Sequence, residues 1–567
     1  MVNKRNIITI SQLVSGFKLY AMGLVAVIFL AAFAETFGLS LVFPAIAGIV
    51  DGGSQWGDLL EYVDIILKPV PADYKLVALL GILSLAFVLK SFLLILHRGM
   101  STHFAMRLRE HWTAEILANY LGSEYQQVIN QKRGNMIHNV VIEPFRGAKS
   151  IIVLLDLASK FVMAFCILVM LIVVDWKATT IISVFSAIII LFIRNTTSKY
   201  SLRFGKERLD LHQEASNIAA ESIDGIKEIK ILGSAERYRF ALLNKLVQFT
   251  RIQTKFSIFS NLPDYVLEAV IIVIVALVIG YVQLSAALEI KALLPILGFY
   301  ILVGHRLFKY MSNIITQRMK FTSALPALEM IHSLIYSSLP QERSDEGYIF
   351  QQLETDILLD NVSFSYNGSK PVLQDVNLRI SRNKMTALVG LSGSGKSTMA
   401  DLLMGLLKPQ SGKIAVNQRD LREFNLASWR EKVGYVCQDP FLFNMTLREN
   451  ILMGKPDATE EEVVGAAKMA NIHDFIIGLP EAYDTVVGDR GVKLSGGQRQ
   501  RIVIARVVIR NPELFIFDEA TSALDYESEA AVRRSIEKLA EKKTIIVIAH
   551  RDSTIEKADV IFNLDKV

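Results

Sequence analysis

The sequence predicts an all-α membrane domain of six transmembrane helices, followed by an α/β domain with a partly parallel sheet. The 567 residues are 51% hydrophobic and have a mean hydropathy of +0.36, which is high for a soluble protein. The long apolar runs all end before residue 312, and short β-type runs alternate with helical ones after about residue 356. We therefore predict a transmembrane domain at 1–335, a linker at 336–355 and a second domain at 356–567.

The membrane domain is predicted from six apolar stretches. A helix needs roughly 20 apolar residues to cross a hydrocarbon core of about 30 Å. The first stretch follows Lys4 and Arg5 as in a secretory signal, but it is too long and lacks a cleavage site, so we interpret it as an uncleaved helix. The predicted spans are 19–49, 76–97, 151–174, 177–194, 264–284 and 291–311.

The distribution of Lys and Arg predicts the orientation of these spans. The connection 51–75 carries two Lys against five Asp or Glu, and we place it outside the cell. The connections 98–150 and 194–262 carry seven and twelve Lys or Arg, respectively, and we place both in the cytoplasm. The second domain is then cytoplasmic, in a multi-pass protein of the plasma (inner) membrane.

The long cytoplasmic connections are predicted to continue the membrane helices, with turns at 121–123 and 233–234. Plain loops are the alternative, although loops of this length are uncommon. In the outer connection, apolar residues of 59–67 fall on one helical face, which predicts a short amphipathic external helix.

Two other classes of protein are disfavoured by composition. Cys166 and Cys437 have no CxxC or Cys/His neighbour, which argues against a disulfide framework or a zinc site. The net charge of +5 is modest, and Lys and Arg form no concentrated patch, so no nucleic-acid partner is expected.

A phosphate-binding loop follows the predicted strand 385–389. The run GLSGSGKS at 390–397 fits GxxxxGK[ST] and leads into a helix. Backbone N–H groups at such a helix start cradle phosphates, Lys396 supplies a cation, and the Ser397 hydroxyl binds Mg²⁺. ATP and Mg²⁺ are thus the expected cofactors, held by Gly390, Ser392, Gly393, Ser394, Gly395, Lys396, Ser397 and Thr398.

A second catalytic signal is the apolar strand 514–517 followed by two acids. Asp518 is predicted to organise magnesium, and Glu519 to polarise the attacking water. Alone, this pattern also fits a surface turn, but the preceding phosphate-binding loop favours a catalytic role.

With Leu494-Ser495-Gly496-Gly497-Gln498 between these motifs, the region 356–567 resembles the ABC ATPase family. The resemblance implies that Tyr366 stacks on adenine, that Gln438 contacts magnesium and the attacking water, and that His550 senses the γ-phosphate. It also implies that 522–525 forms the D-loop. The signature residues Ser495, Gly496, Gly497 and Gln498 would bind nucleotide held by an opposite ATPase domain.

The order of the two domains resembles type I ABC exporters, which implies ATP hydrolysis coupled to transport. Because an ATPase domain of this family works against a second one, the resemblance implies a dimer. Glu519 and the signature are both intact, so we expect a homodimer with two competent sites.

Four charged residues inside apolar runs are candidate substrate residues: Glu35, Lys90, Arg306 and Lys309. Arg306 and Lys309 share a helical face and could receive a phosphate or pyrophosphate, with snorkelling to the interface as the alternative. The segment 35–44, the outer helix and Arg306 resemble bacterial flippases for lipid-linked oligosaccharides. The expected substrate is therefore an amphipathic lipid-linked oligosaccharide in the bilayer, with multidrug or other lipid export as the alternative.

Overall fold

The structure is a computed structural model. It describes residues 4–14, 16, 18–50, 67–71, 74–174, 176–284, 290–336, 340, 342, 346–366, 370–519, 526–548 and 555–566. In some helical stretches, chiefly 181–199 and 290–297, only the backbone is described. The predicted external helix at 59–67 lies almost entirely outside these residues.

The chain forms two compact units, and their boundaries differ from the predicted ones in two respects. Unit 1 comprises Met1–Gly122 and Ile129–Leu339, and unit 2 comprises Ser123–Val128 and Pro340–Val567. The predicted linker is thus mostly part of unit 2, because Phe350 and Leu353 are buried in its hydrophobic core. Six residues of the first cytoplasmic connection also belong to unit 2.

The first half of the chain is helical, as predicted. Long continuous helices form because the sequence between the turns is rich in Leu, Ile, Ala and Val and poor in Pro. A π-helical turn at His138–Ile142 precedes one of them. The helices are α1 Lys4–Val14, α2 Lys18–Ser40, α3 Val42–Val50, α4 Lys75–Leu121, α5 Tyr125–Ile129, α6 Arg133–Ile137, α7 Glu143–Val174, α8 Trp176–Asp224, α9 Ile226–Ile231, α10 Ala235–Leu284 and α11 Ile290–Tyr336.

Helix α4 distributes its side chains in the manner of a membrane helix. Leu85, Val88, Phe92 and Ile95 are 61–72% exposed along one stripe, whereas Lys90 is only 6% exposed. An apolar face turned outward and a charge turned inward suit a hydrocarbon solvent rather than water. Among the described residues, three stretches are long and apolar enough to span a membrane: Leu19–Ile46, Lys75–Leu121 and Arg133–Val173.

The predicted cytoplasmic extensions are helical, and both predicted turns are present. Helix α4 ends at Leu121, and Gly122 N–H donates to the carbonyl of Ala118. Helix α9 ends at Ile231, and Gly233 adopts a φ of 61°, which glycine tolerates without strain. The alternative of plain loops is thereby excluded for the described parts of both connections.

Unit 2 contains two sheets that carry a shared hydrophobic core. Strands β1 Ile357–Phe364, β2 Leu373–Ile380, β4 Ser411–Val416 and β5 Arg419–Asp420 form an antiparallel sheet in the order β2-β1-β4-β5. The second sheet is parallel, with the order β6-β7-β8-β3-β9. Its strands are β3 Met385–Val389, β6 Val433–Val436, β7 Leu514–Asp518, β8 Thr544–Ile548 and β9 Val560–Asn563.

The parallel sheet positions the candidate nucleotide site. Strands β7 and β8 are buried at every residue, as expected for a sheet covered on both faces. The carboxyl ends of parallel strands lie at one edge, where α/β proteins bind their ligands. The helices of unit 2 are α12 Lys396–Leu403, α13 Leu426–Glu431, α14 Leu447–Leu452, α15 Glu460–Met469, α16 His473–Ile477, α17 Gly496–Val508 and α18 Tyr526–Ala540.

Candidate functional site

The phosphate-binding loop connects β3 to α12, as the sequence predicted. Gly390, Gly393 and Gly395 have φ values of 155°, 86° and 94°, a range that favours glycine. A Cβ on Gly395 would lie 2.7 Å from Leu373 Cδ2, so the loop also needs glycine for space. The buried Ser394 Oγ has no hydrogen-bond partner among the described residues. A curled loop at a helix N-terminus with an unsatisfied buried hydroxyl fits a phosphate ligand.

Lys396 begins helix α12 and folds back over this loop. Its Nζ donates to the carbonyl oxygens of Gly390 and Leu391, at 2.8 Å each. The backbone N–H of Leu391 is held in turn by the Asp565 carboxylate at 2.9 Å. The loop is therefore anchored by Asp565, and the Lys396 ammonium lies against its backbone.

Asp518 ends strand β7 and is only 5% exposed. The Tyr435 hydroxyl donates to Asp518 Oδ2 at 3.2 Å, and Ser397 also hydrogen-bonds this carboxylate. Burial raises the pKa of Asp518, and the hydrogen bonds only partly offset that effect. Ser397 and Asp518 thus bring two hard oxygen donors together, a set that fits Mg²⁺.

The sequence analysis missed Asp401, a second carboxyl group near Asp518. Burial and, to a smaller extent, Asp518 raise the pKa of Asp401 to about 6. Asp401 lies in the middle of α12 and is not part of a recognisable sequence motif. Its proximity to Asp518 is therefore seen only in the folded structure. Tyr435 was missed for the same reason, as it lies on β6, 83 residues before Asp518.

Glu519 and Gln438 come from distant parts of the sequence and meet in the structure. Gln438 Nε2 donates to Glu519 Oε2 at 2.7 Å. Glu519 has a positive φ of 46°, and its N–H donates to the carbonyl of Ile548 on β8. A non-glycine residue in this conformation is uncommon and is often found at functional sites. The two predicted residues are thus held side by side.

The predicted adenine-stacking residue is next to the phosphate-binding helix. The hydroxyl groups of Tyr366 and Thr398 are 3.2 Å apart, and the ring of Tyr366 packs edge-on against Phe364 with centroids 5.0 Å apart. The half-buried ring therefore has a fixed position beside α12.

The signature residues start helix α17 through a capping box. Gln498 N–H donates to Ser495 Oγ at 3.3 Å, and Ser495 N–H donates to Gln498 Oε1 at 2.9 Å. A Cβ on Gly496 would meet no atom within 4 Å, so this glycine faces open space. Among the described residues, the side-chain hydrogen bonds of Ser495 and Gln498 stay within this segment and do not reach the phosphate-binding loop of the same chain. Gln500, which the sequence analysis missed, donates to the carbonyl of Cys437 at 3.2 Å and so connects α17 to the segment of Gln438.

His550 and the predicted D-loop at 522–525 lie outside the described residues. Strand β8, which precedes His550, is described and ends beside Glu519.

The candidate substrate residues of unit 1 form a charged cluster rather than separate ligands. Lys90 Nζ donates to Glu35 Oε1 at 2.7 Å, and the Tyr310 hydroxyl donates to Glu35 Oε2. The Arg306 guanidinium lies 3.9 Å from Glu35 Oε1 and is 42% exposed. Lys309 is exposed and takes no part in these contacts.

In this arrangement Glu35 and Lys90 contact each other, and their contact with a substrate stays a prediction. Their side chains are 1% and 8% exposed and form an ion pair that joins α2 to α4. A buried ion pair with satisfied hydrogen bonds is a structural element. Arg306 retains an exposed cationic group, consistent with its predicted role.

Comparison with known proteins covers both halves of the chain. Residues 22–307 match the family model described as "ABC transporter transmembrane region", and residues 373–522 match the model described as "ABC transporter". A solved "bacterial Atm1-family ABC exporter with ATP bound" has a TM-score of 0.81 at 23% identity, and the match covers 97% of this chain and 94% of that one. At this identity the likeness concerns the fold alone.

Two similar curated proteins have names that refer to drug export. "Putative multidrug export ATP-binding/permease protein YgaD" of Bacillus subtilis is 39% identical over 321 residues, 56% of this chain and 54% of that protein. A similarly named protein of Staphylococcus aureus is 50% identical over 204 residues, 36% of this chain and 35% of that protein. The matched part of this chain thus spans about half the length of these relatives or less.

Proposed function

The chain belongs to the ABC transporter family, and we propose that it is a half-transporter that hydrolyses ATP to export amphipathic molecules. The observation that carries this proposal is the pairing of Gln438 with Glu519 beside the phosphate-binding loop, 2.7 Å apart. A chain used only for nucleotide binding would not need a carboxylate and an amide held together there.

Each nucleotide-site residue has a proposed role. The loop at 390–398 binds the phosphates, Lys396 neutralises their charge, and Tyr366 supports the adenine. Glu519 accepts a proton from the attacking water, Gln438 orients that carboxylate, and His550 contacts the γ-phosphate. Ser397, Asp518 and Gln438 are the residues that would hold Mg²⁺, which supplies charge neutralisation at the phosphate oxygens.

We further propose that two copies of the chain act together as a homodimer. Ser495, Gly496, Gly497 and Gln498 would complete the nucleotide site of the second copy, since Gly496 faces open space in a single chain. ATP would then favour association of the two ATPase domains and shift the membrane helices between alternative states. Such coupling requires only a difference in ATP affinity between those states.

For the substrate, the names of the relatives favour the alternative stated in the sequence analysis. Multidrug or general amphiphile export is therefore the first candidate. Export of a lipid-linked oligosaccharide, expected first from the sequence, is the second candidate. Its specific support is the exposed guanidinium of Arg306, which could contact a pyrophosphate. Glu35 and Lys90 form an ion pair with each other.

The proposal is tested by ATP-dependent accumulation of an amphipathic dye in proteoliposomes that contain the purified full-length protein. We expect accumulation with ATP, and its loss together with a drop in hydrolysis of about 100-fold or more in Glu519→Gln. ATP binding should persist in this variant. The matched control is Glu513→Gln, which removes a partly exposed carboxylate from the same region.

Hydrolysis within a few-fold of wild type in Glu519→Gln would contradict the catalytic assignment. Hydrolysis without accumulation of any amphiphile tested would contradict the export function while leaving the nucleotide site intact.

A further inference from the structure

The charged cluster of unit 1 lies at one level of the helix bundle. Glu35, Lys90, Lys160 and Arg306 are each about fifteen residues from the predicted outer end of their helical segment, on α2–α3, α4, α7 and α11. At 1.5 Å per residue, this places all four roughly 22 Å from the outer ends. Four helices thus contribute a charge at a similar depth, although the residues are far apart in sequence.

At this depth of the bundle, positively charged side chains outnumber carboxylates. Lys90, Lys160 and Arg306, here called the cation cluster, surround the single carboxylate of Glu35. The Lys160 ammonium lies 5.6 Å over the ring of Tyr310 and, among the described residues, has no carboxylate within 4 Å. Asp156 also interacts electrostatically with Lys160, but Arg98 is paired with Asp156 at 2.8 Å.

The contacts of Glu35 explain why it cannot balance all three cations. One carboxylate oxygen of Glu35 accepts a hydrogen bond from Lys90, and the other accepts one from the Tyr310 hydroxyl. The Glu35 side chain is almost fully buried. Arg306 remains beyond hydrogen-bond distance, over the ring of Phe87 at 6.0 Å. Lys160 is therefore left without a carboxylate within 4 Å among the described residues, and the partly exposed Arg306 shares the single carboxylate of Glu35 with Lys90.

Uncompensated charge at this depth is costly and is usually retained for a function. Acids are available elsewhere in the bundle, since α10 carries Asp264 and Glu268. Ser312 donates to Asp264, and the described contacts of these two acids do not include the cation cluster. The excess positive charge would therefore be balanced by an anion other than the described side chains, such as a bound ligand.

We propose that Lys160 and Arg306 bind the anionic head group of an exported amphiphile, while Glu35, Lys90 and Tyr310 hold this site in place. A phosphate, sulfonate or carboxylate would match two cations presented by α7 and α11. The apolar tail would remain among the lipid-facing side chains. This inference rests on the proposed export function and specifies its substrate class.

The test is binding of dodecyl phosphate to the full-length protein in phosphatidylcholine nanodiscs, measured calorimetrically without nucleotide. Inorganic phosphate and dodecyltrimethylammonium are titrated in parallel. We expect dodecyl phosphate to bind, and the double variant Lys160→Gln/Arg306→Gln to weaken this binding about tenfold or more. Lys160→Arg should retain most of the affinity, and the matched control Glu268→Gln should leave it unchanged.

Each outcome is decisive. Binding of dodecyl phosphate but not of inorganic phosphate supports a head-group site. Equal binding of both would overturn the inference, because it would indicate a site for free anions. Unchanged affinity in the double variant, or preference for dodecyltrimethylammonium, would overturn the inference. Because binding is measured without ATP, its failure is distinguishable from loss of hydrolysis or export.

Discussion

The two units of the chain concentrate excess charge of opposite sign. In unit 2 the carboxyl groups of Asp401 and Asp518 lie close together, and the pKa of each is raised by burial. In unit 1 Lys90, Lys160 and Arg306 surround the one carboxylate of Glu35. An excess of one charge that the described side chains do not balance indicates the sign of a missing partner. The first site fits a divalent cation, and the second fits an anion.

The units also differ in how their sites are assembled. The nucleotide site uses short segments that follow individual strands, such as the loop after β3 and the acids after β7. The charged cluster uses single residues from separate helices, with Glu35 and Tyr310 separated by 275 positions. This comparison leads to one test in each unit, of which the first has the larger expected effect.

In unit 1, removal of the Glu35 charge should destabilise the bundle strongly. Glu35→Gln leaves Lys90 buried without a counter-ion, which typically costs about 3 kcal/mol or more. Thermal unfolding of the purified protein in detergent measures the loss. The second substitution in Glu35→Gln/Lys90→Met should restore most of the stability, because it removes the unpaired cation.

The control for this test is Glu110→Gln on α4, the helix that carries Lys90. Glu110 pairs with Arg107 at 3.4 Å, and both side chains are more than 60% exposed. Such a pair contributes about 0–1 kcal/mol. If Glu35→Gln were no more destabilising than Glu110→Gln, the ion pair would not hold the cluster together.

In unit 2, the stability contributed by Asp401 should depend on pH. Its pKa is raised from the ordinary 3.8 to about 6, so the folded state holds the proton more tightly than the unfolded state. As pH rises from about 4 through 6, the folded protein must ionise a carboxyl that disfavours charge, and it loses stability. Asp401→Asn should therefore stabilise the unit at pH 8, by about 1 kcal/mol after solvent screening, and much less at pH 4.5.

Hydrogen–deuterium exchange of strand β3 measures this effect, with variant and wild type compared at each pH in the absence of nucleotide and Mg²⁺. Asp457→Asn, at an exposed position of unit 2, is the control and should show no such pH dependence. If strand β3 were equally protected from exchange in Asp401→Asn and in wild type at pH 8, ionisation of Asp401 would not destabilise the folded unit, and the prediction would be contradicted.

The same contrast explains how much of the molecule the sequence could predict. The loop at 390–398, Asp518 and Glu519 were predictable because their chemistry depends on local spacing after a strand. The helical extensions were predictable from low Pro content and from the turns at Gly122 and Gly233. Asp401, Tyr435, Lys160 and Tyr310 were not, because each acquires its role only when a distant element packs against it.

The charged residues of the membrane domain show why the remaining predictions were incomplete. Hydropathy identified Glu35, Lys90 and Arg306 as unusual, but their pairing depends on the rotation of three helices about their axes. No periodicity in one helix specifies that rotation relative to another. The ion pair between Glu35 and Lys90 was consequently not predicted, although both residues were named as candidates.

The most direct test of the account is ATP-dependent translocation of fluorescent lipids with different head groups. Purified full-length protein is reconstituted in liposomes that contain labelled phosphatidylglycerol or phosphatidylcholine, and dithionite quenching reports the lipid moved between leaflets. The account predicts movement of the anionic lipid at least about fivefold faster, equivalent to ~1 kcal/mol, with loss of this preference in Lys160→Gln/Arg306→Gln. Equal or faster movement of phosphatidylcholine by the wild-type protein would contradict the account.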